Sequence, residues 1–388
     1  MGVNRIIYIR TDGNSQIASG HLMRCLSIAR ACQELGMTVR FLVSDEESVS
    51  LLTSLLAEKE AFSVLRLKTA VYNDMEQELP ELLTLLSQGA NPVMPDSDFS
   101  AADFSTKDSV SANILIDSYF VTEKYLTALR PFAKTAYIDD LQLFDYPTDL
   151  LVNYDVIPDS AAAHYKAACQ NAGKLLLGAS YAPLRSQFQN RKIIVKEQVT
   201  DILLTTGGSD PYHFCLNFIG YFSEMSASFT NTLTLHVVIG KLNEDKNALY
   251  ELAEKYPFLK LHENVSHMAS LMEHCDLAIS ASGTTLYELC ALGLPAISFT
   301  MADNQLTPAR AFEEAGAIPC AGDIRTDKDG VLRNITDFVT RLSYRNDISV
   351  KNTGNPSSYE MRKSAHEAMQ KLVDGNGAMR IAKAMLNL

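Results

Sequence analysis

The 388-residue sequence predicts an α/β protein with two parallel sheets, and three observations carry that reading. Short β-branched runs alternate with longer segments of helical period. The alternation stops in a polar stretch near residue 190 and then restarts. Glycine-containing polar loops follow strand-like runs and open helices. In chain order, strand signals at 5–10 and 38–43 enclose a helical segment at 20–35, and a second helical segment follows at 47–59. Further strand signals stand at 114–117, 136–138 and 150–153, then again at 201–205, 233–239, 277–279 and 296–299. Between the two sets, 186–199 reads "SQFQNRKIIVKEQV", polar and rich in Lys and Gln, which predicts an N-terminal domain over 1–190 and a C-terminal domain over 191–388. Segment 96–111 carries five Ser and four Asp, too little apolar surface to order itself, and is expected to be a flexible surface insertion. The tail shows two helical patterns separated by "DGNG" at 374–377, expected to pack back on the N-terminal domain.

Composition narrows the function classes. Hydrophobic residues make up 47% of the chain, enough for packed cores. Lys and Arg number 34 against 46 Asp and Glu, a formal charge of −12, the wrong sign for gripping nucleic acid by counterion release. An anionic ligand would instead be held locally, by backbone N–H groups at helix N-termini. The seven cysteines are scattered without CxxC spacing and read as reduced thiols, and no apolar run is long enough to span a membrane. The helical stretch 46–60 is acidic, which argues against stable membrane association. A cytoplasmic protein is expected. The eight histidines show no metal-ligand spacing, His262, His267 and His274 included, so neither a metal nor another cofactor is expected. The Asp96-Ser97-Asp98 triplet follows no strand and reads as part of the polar segment.

Three loops carry candidate chemistry. In "TDGNSQIASGHLMR" (11–24), Ser19 is placed to cap a helix whose first turn holds His21. The positive end of the helix dipole disfavours imidazolium, which suits a general base; a surface histidine fits the local pattern equally well. In "TTGGSDP" (205–211), Gly207 and Gly208 let phosphates approach the backbone and Ser209 adds a donor, although a plain tight turn has the same composition. The lysine of a Walker loop is missing there. The stretch 275–305 is the most specific: strand, small-residue turn, helix, Gly293 as a stop, strand and polar loop. Its turn puts the amides of Gly283, Thr284 and Thr285 at a helix N-terminus, where a diphosphate fits, and Glu288 is spaced to accept from a ribose diol, although a solvated helix residue has the same spacing.

The ordered set "RTDGNSQIASGHLMRCLSIA", "IDSY", "YIDDL", "LGASYAPLRSQF", "TTGGSDP", "SASGTTLYELCALGLPA" and "ADNQ" resembles the UDP-2,4-diacetamido-2,4,6-trideoxy-beta-L-altropyranose hydrolase family of pseudaminic acid biosynthesis. The resemblance runs across nearly the whole chain. It implies a GT-B fold, two Rossmann-like domains facing across a cleft, with a UDP-sugar as substrate and UDP as product. It puts the family's base on His21, flanked by Gly20, and matches Tyr119 to a cleft tyrosine and Asn304 with Gln305 to a sugar-contacting pair. It also matches Glu288 and the Gly283 turn to the UDP-binding element, and the 207–209 loop to a phosphate-facing one. Arg10, Asp12 and Arg185 fall on motif positions without individual roles; Arg185 either neutralises the leaving diphosphate or braces the hinge. The implied reaction is metal-independent attack of His21-activated water on the anomeric carbon. A GT-B glycosyltransferase or a UDP-sugar 2-epimerase uses a similar scaffold, and a nucleotide-sugar sensor without turnover is the non-enzymatic alternative. Sugar stereochemistry and oligomeric state are not read from these patterns.

Overall fold

The computed structural model describes residues 5–17, 19–56, 60, 62–87, 112–157, 159–224, 232–343 and 356–388. The segment 96–111 expected to be an insertion lies outside the described residues. The chain divides into two compact units, one formed by Met1–Asp155, Asp159–Arg185 and Gly377–Leu388, the other by Val156–Pro158 and Ser186–Asn376. Residues 186–190 therefore belong to the second unit, and the last helix belongs to the first.

In the first unit the elements run β1 (Ile6–Thr11), α1 (Gly20–Glu34), β2 (Thr38–Val43), α2 (Glu46–Leu55), β3 (Ser63–Arg66), α3 (Leu79–Ser87), β4 (Ala112–Asp117), α4 (Glu123–Leu129), β5 (Ala133–Ile138), β6 (Leu150–Asn153), α5 (Asp159–Ala168) and β7 (Lys174–Leu177). They build a parallel seven-stranded sheet in the order β3-β2-β1-β4-β5-β6-β7. Every residue of β1 ("IIYIRT") and of β4 ("ANILID") is buried, as expected of central strands covered on both faces. One face packs Tyr8, Ile114 and Ile116 against Tyr125, Leu126 and Leu129 of α4. Asp45 starts α2 by accepting from the Ser48 amide at 2.6 Å.

The second unit runs β8 (Asp201–Thr205), α6 (Phe214–Ser223), β9 (Thr234–Ile239), α7 (Lys246–Lys255), β10 (Leu259–Glu263), α8 (Met268–His274), β11 (Leu277–Ala281), α9 (Thr285–Leu292), β12 (Ala296–Thr300), α10 (Leu306–Glu314), β13 (Cys320–Asp323), α11 (Lys328–Ser343) and α12 (Ser358–Leu372). Its parallel six-stranded sheet is ordered β10-β9-β8-β11-β12-β13. Phe214, Phe218 and Phe222 of α6 pack with Leu235 and Val237 of β9 and with Ile335 and Phe338 of α11. Gly293 ends α9 in the left-handed conformation, φ 65°.

The chain then returns to the first unit as α13 (Gly377–Leu386), which lies against α1. Ile381, Ala382 and Met385 are buried, and Asn113 Nδ2 donates to the Met385 carbonyl at 3.0 Å. Among the described residues no helix is long and apolar enough to cross a membrane.

Candidate active site

In a parallel sheet the strand order reverses at a switch point, and the loops leaving the two strands there open a crevice at their carboxyl ends. In the first unit the switch point is between β1 and β4, whose last residues, Thr11 and Asp117, are register partners. The loop after β1 is the His21 loop. His21 is buried in the first turn of α1, and its Nδ1 lies 2.7 Å from Asp117 Oδ1. Two groups meet Nδ1: the Asp117 carboxylate, which only accepts, and Arg24 Nη2 at 3.0 Å, which only donates; the shorter contact, to Asp117, favours the proton on Nδ1 and leaves Nε2 as the accepting nitrogen. Asp117 is ionised for a physical reason. Burial opposes its charge, but Arg24 and then His21 hold its carboxyl well below the usual carboxylate range.

Arg24 is the clamp. Its Nε and Nη2 donate to Asp117 at 2.6 and 2.5 Å, and its Nη1 and Nη2 donate to Asp140 at 3.0 and 2.7 Å. Tyr154 Oη stands 2.5 Å from Nη1. Cys25 donates to the second Asp117 oxygen at 3.3 Å, and burial, reinforced by that carboxylate, keeps it a thiol. Tyr119, 42% exposed, meets the His21 ring edge-on at 4.4 Å between centroids.

Three expectations for this loop change. Ser19 occupies the N-cap position, but its side chain makes no capping bond; its carbonyl accepts from the Met23 amide. Arg10 and Asp12, matched to motif positions as substrate-binding candidates, are instead engaged in buried internal pairs. Arg10 donates to both oxygens of buried Glu78 and, at 2.5 Å, to Asp12, which in turn accepts from the Ser44 amide at 2.6 Å. They are braces that tie β1 to the start of the β2–α2 connection. The residues gathered around His21 that the sequence reading did not single out are Asp117, Arg24, Asp140 and Tyr154. The available signal was an acid closing a fully apolar run, "ILID", and a second acid in "YIDDL".

In the second unit the switch point is between β8 and β11, and the loops leaving them are the two other candidates. Gly207 is left-handed, φ 87°, and both Gly207 and Gly208 are exposed, with Ser209 partly so. The loop is seated on Gly240, where a Cβ would come within 2.4 Å of the Gly207 carbonyl and 2.5 Å of the Gly208 carbonyl. Asp210 closes it by accepting from the amides of Phe214 and Cys215 at 2.8 and 2.9 Å. After β11, Gly283 and Thr284 are exposed and Thr285 begins α9, whose first amides lack intrahelical acceptors. Gly283 differs from expectation: its amide donates to the Ala281 carbonyl at 2.8 Å, leaving the donor role to Thr284 and Thr285. Glu288 sits half-buried in the first turn of α9. Asn304 is exposed in a short 3-10 turn, while Gln305 accepts from the Met301 amide at 2.9 Å and shapes that turn. Arg185 is half-buried at the end of a first-unit segment, and Gly20 is exposed at the start of α1.

Comparison with known proteins bears on this arrangement. A family model described as the glycosyltransferase family 28 C-terminal domain matches residues 202–363. Over its whole length the chain superposes on the crystal structure of Acinetobacter baumannii MurG with a TM-score of 0.61 at 12% identity, covering 99% of this chain and 100% of that one. The fold is GT-B. Among curated proteins, the chain is 26% identical over 221 residues to the spore coat polysaccharide biosynthesis protein SpsG of Bacillus subtilis, covering 56% of this chain and 60% of the relative. It is 28% identical over 210 residues to the pseudaminic acid cytidylyltransferase and UDP-2,4-diacetamido-2,4,6-trideoxy-beta-L-altropyranose hydrolase of Helicobacter pylori, covering 52% of this chain and 36% of that protein. The chain thus spans less than two thirds of either relative.

Proposed function

We propose that this GT-B chain is a nucleotide-sugar enzyme that hydrolyses a UDP-linked 2,4-diacetamido-2,4,6-trideoxyhexose to the free sugar and UDP. The observation that carries the reading is the His21–Asp117 pair at the switch point of the first sheet, a base with its orienting carboxylate. In this reading His21 Nε2 takes a proton from water as the water oxygen bonds to the anomeric carbon. The bond from that carbon to the UDP oxygen breaks with its electron pair, and UDP leaves. Asp117 keeps Nδ1 protonated and stabilises the charge that appears on the ring. Amides of Gly208 and Ser209 and of Thr284 and Thr285 hold the diphosphate, whose growing negative charge they face without reorganising, the Gly207 amide being engaged by Thr205 Oγ1. Glu288 accepts from the ribose, and Asn304, Gln305 and Tyr119 contact the sugar. The name of the Helicobacter relative supports the choice of sugar.

Glycosyl transfer is the second reading, favoured by the family 28 match over 202–363; His21 would then deprotonate an acceptor hydroxyl. Proton NMR of the anomeric signal separates the two. Purified protein is mixed with UDP-2,4-diacetamido-2,4,6-trideoxy-beta-L-altropyranose in EDTA without an acceptor. Free sugar together with UDP is the expected outcome. Turnover only after an acceptor sugar is added overturns hydrolysis in favour of transfer, and a UDP-sugar changed at C2 assigns epimerisation.

A further inference from the structure

We propose that the second unit carries a divalent transition-metal site of zinc type, built by Asp201, His236 and His274 at the end of its sheet opposite the glycine loops. These residues are far apart in sequence and come together through the topology. Asp201 is the first residue of β8, His236 lies in the neighbouring β9, and His274 is the last residue of α8. Asp201 and Leu203 pair with Thr234 and His236, and the two-residue side-chain period puts Asp201 and His236 on one face. No spacing motif records this, which is why the histidines of the 262–274 stretch read as unconnected.

The ligand atoms suit a small cation that takes nitrogen and oxygen. His236 Nε2 is 2.9 Å from Asp201 Oδ1, His274 Nε2 is 3.5 Å from the same oxygen, and one ligand atom from each residue lies within 4.8 Å of the others. Zinc bonds of 2.0–2.1 Å in a tetrahedron separate ligand atoms by about 3.3 Å. The first two separations bracket that value, and the third edge closes by rotation of the His274 side chain, which is 61% exposed. Two imidazoles with one carboxylate select zinc-like cations over magnesium or calcium, which prefer all-oxygen shells. His236 and Asp201 are 3% and 14% exposed, so the fourth position opens beside His274 and is left to water or a small anion.

Around these ligands stands a supporting shell. His236 Nδ1 is 2.9 Å from His262 Nε2, so with a cation on Nε2 the His236 proton sits on Nδ1 and is donated to His262. Thr200 Oγ1 donates to the other Asp201 oxygen at 2.7 Å, and the Asp201 amide donates to Asp276 at 3.0 Å. The nearby positive charge, Lys196, is paired with Asp276 at 2.8 Å. Four residues of rise separate Asp201 from Thr205, about 13 Å along β8, so the site lies away from the proposed diphosphate loops. Its role is to lock β8, β9 and α8 together.

The test uses the full chain without a polyhistidine tag, stripped with a chelator and titrated with Co²⁺ by visible absorption, then with Zn²⁺ in competition. One equivalent of Co²⁺ with a tetrahedral d–d spectrum, displaced by Zn²⁺, is expected, as is a rise in Tm with Zn²⁺. His274→Ala, at an exposed position that leaves folding intact, should weaken binding at least tenfold. His262→Ala should weaken it about 10–100-fold through the lost supporting bond. Absence of stoichiometric binding, or binding unchanged in His274→Ala, overturns the proposal.

Discussion

Replacing His21 with Ala removes the group that takes the proton from the nucleophile in the proposed reaction, and a rate loss of about 10²–10⁴-fold is expected. Asp117→Asn should lower kcat comparably, because an amide no longer dictates which ring nitrogen carries the proton. It also strips a buried partner from Arg24, and breaking such a pair costs about 3–5 kcal/mol, so circular dichroism and kcat must be read together. Turnover intact in a folded His21→Ala protein would reject the role. Asp117 also makes stability depend on pH in a definite direction. Its carboxyl is held below the ordinary value of about 3.9 only when folded, so in acid the unfolded chain binds the proton first. The contribution is complete above about pH 4 and is lost as pH falls toward the folded value, at up to about 1.4 kcal/mol per pH unit. Urea midpoints measured between neutral and acidic pH should therefore fall more steeply below about pH 4 for the parent than for Asp117→Asn. Equal slopes would mean that the pair does not hold the carboxylate.

Which elements were legible depends on how much of the signal was local. The central strands announce themselves because burial on both faces demands continuous apolar runs, and 38–43, 150–153 and 201–205 coincide with β2, β6 and β8. Strands β3, β7, β10 and β13 went unread: they are the four edge strands and short, β13 being "CAGD" with no β-branched residue. The three loops were readable as strand–loop–helix units, whereas the carboxylate facing His21 comes from 96 residues away and left no periodic trace. Local pattern also cannot show what a loop rests on. Gly240 looks unremarkable in sequence, yet a methyl group there would strike the carbonyls of Gly207 and Gly208. Gly240→Ala should displace that loop and weaken UDP binding by tenfold or more in isothermal titration. Gly220→Ala is the contrasting case. Gly220 is an exposed position of α6 with nothing near its missing Cβ, so this change should stabilise the protein by about 0.5–1 kcal/mol and leave UDP affinity unchanged. Equal UDP affinities in both variants would show that the loop does not bind the nucleotide.

The chain enters the second unit at Ser186 and leaves it again at Asn376, so its last helix completes the first unit rather than the one it follows. Both helical patterns of the tail were expected to pack back on the N-terminal domain; α13, after the "DGNG" turn, does so, whereas α12 before it stays with the second unit, because the receiving core is decided by long-range fit. Gly377 is needed because a Cβ there would lie 2.1 Å from the Ala182 carbonyl. Arg380 donates to the Ser180 carbonyl at 2.7 Å, and Ile381 is fully buried within the first unit. Truncating a buried Ile to Ala costs about 2–5 kcal/mol in lost transfer energy and residual cavity. Because α13 belongs to the first core, Ile381→Ala should reduce the stability of that unit selectively. Hydrogen exchange read by mass spectrometry should show faster exchange in peptides covering β1 and β4, with β8 and β11 protected as in the parent. Equal loss of protection in both sheets would mean that the two units unfold as one, and loss confined to β8 and β11 would place the helix energetically with the second unit. Either result would separate the energetic architecture of the protein from its contact map.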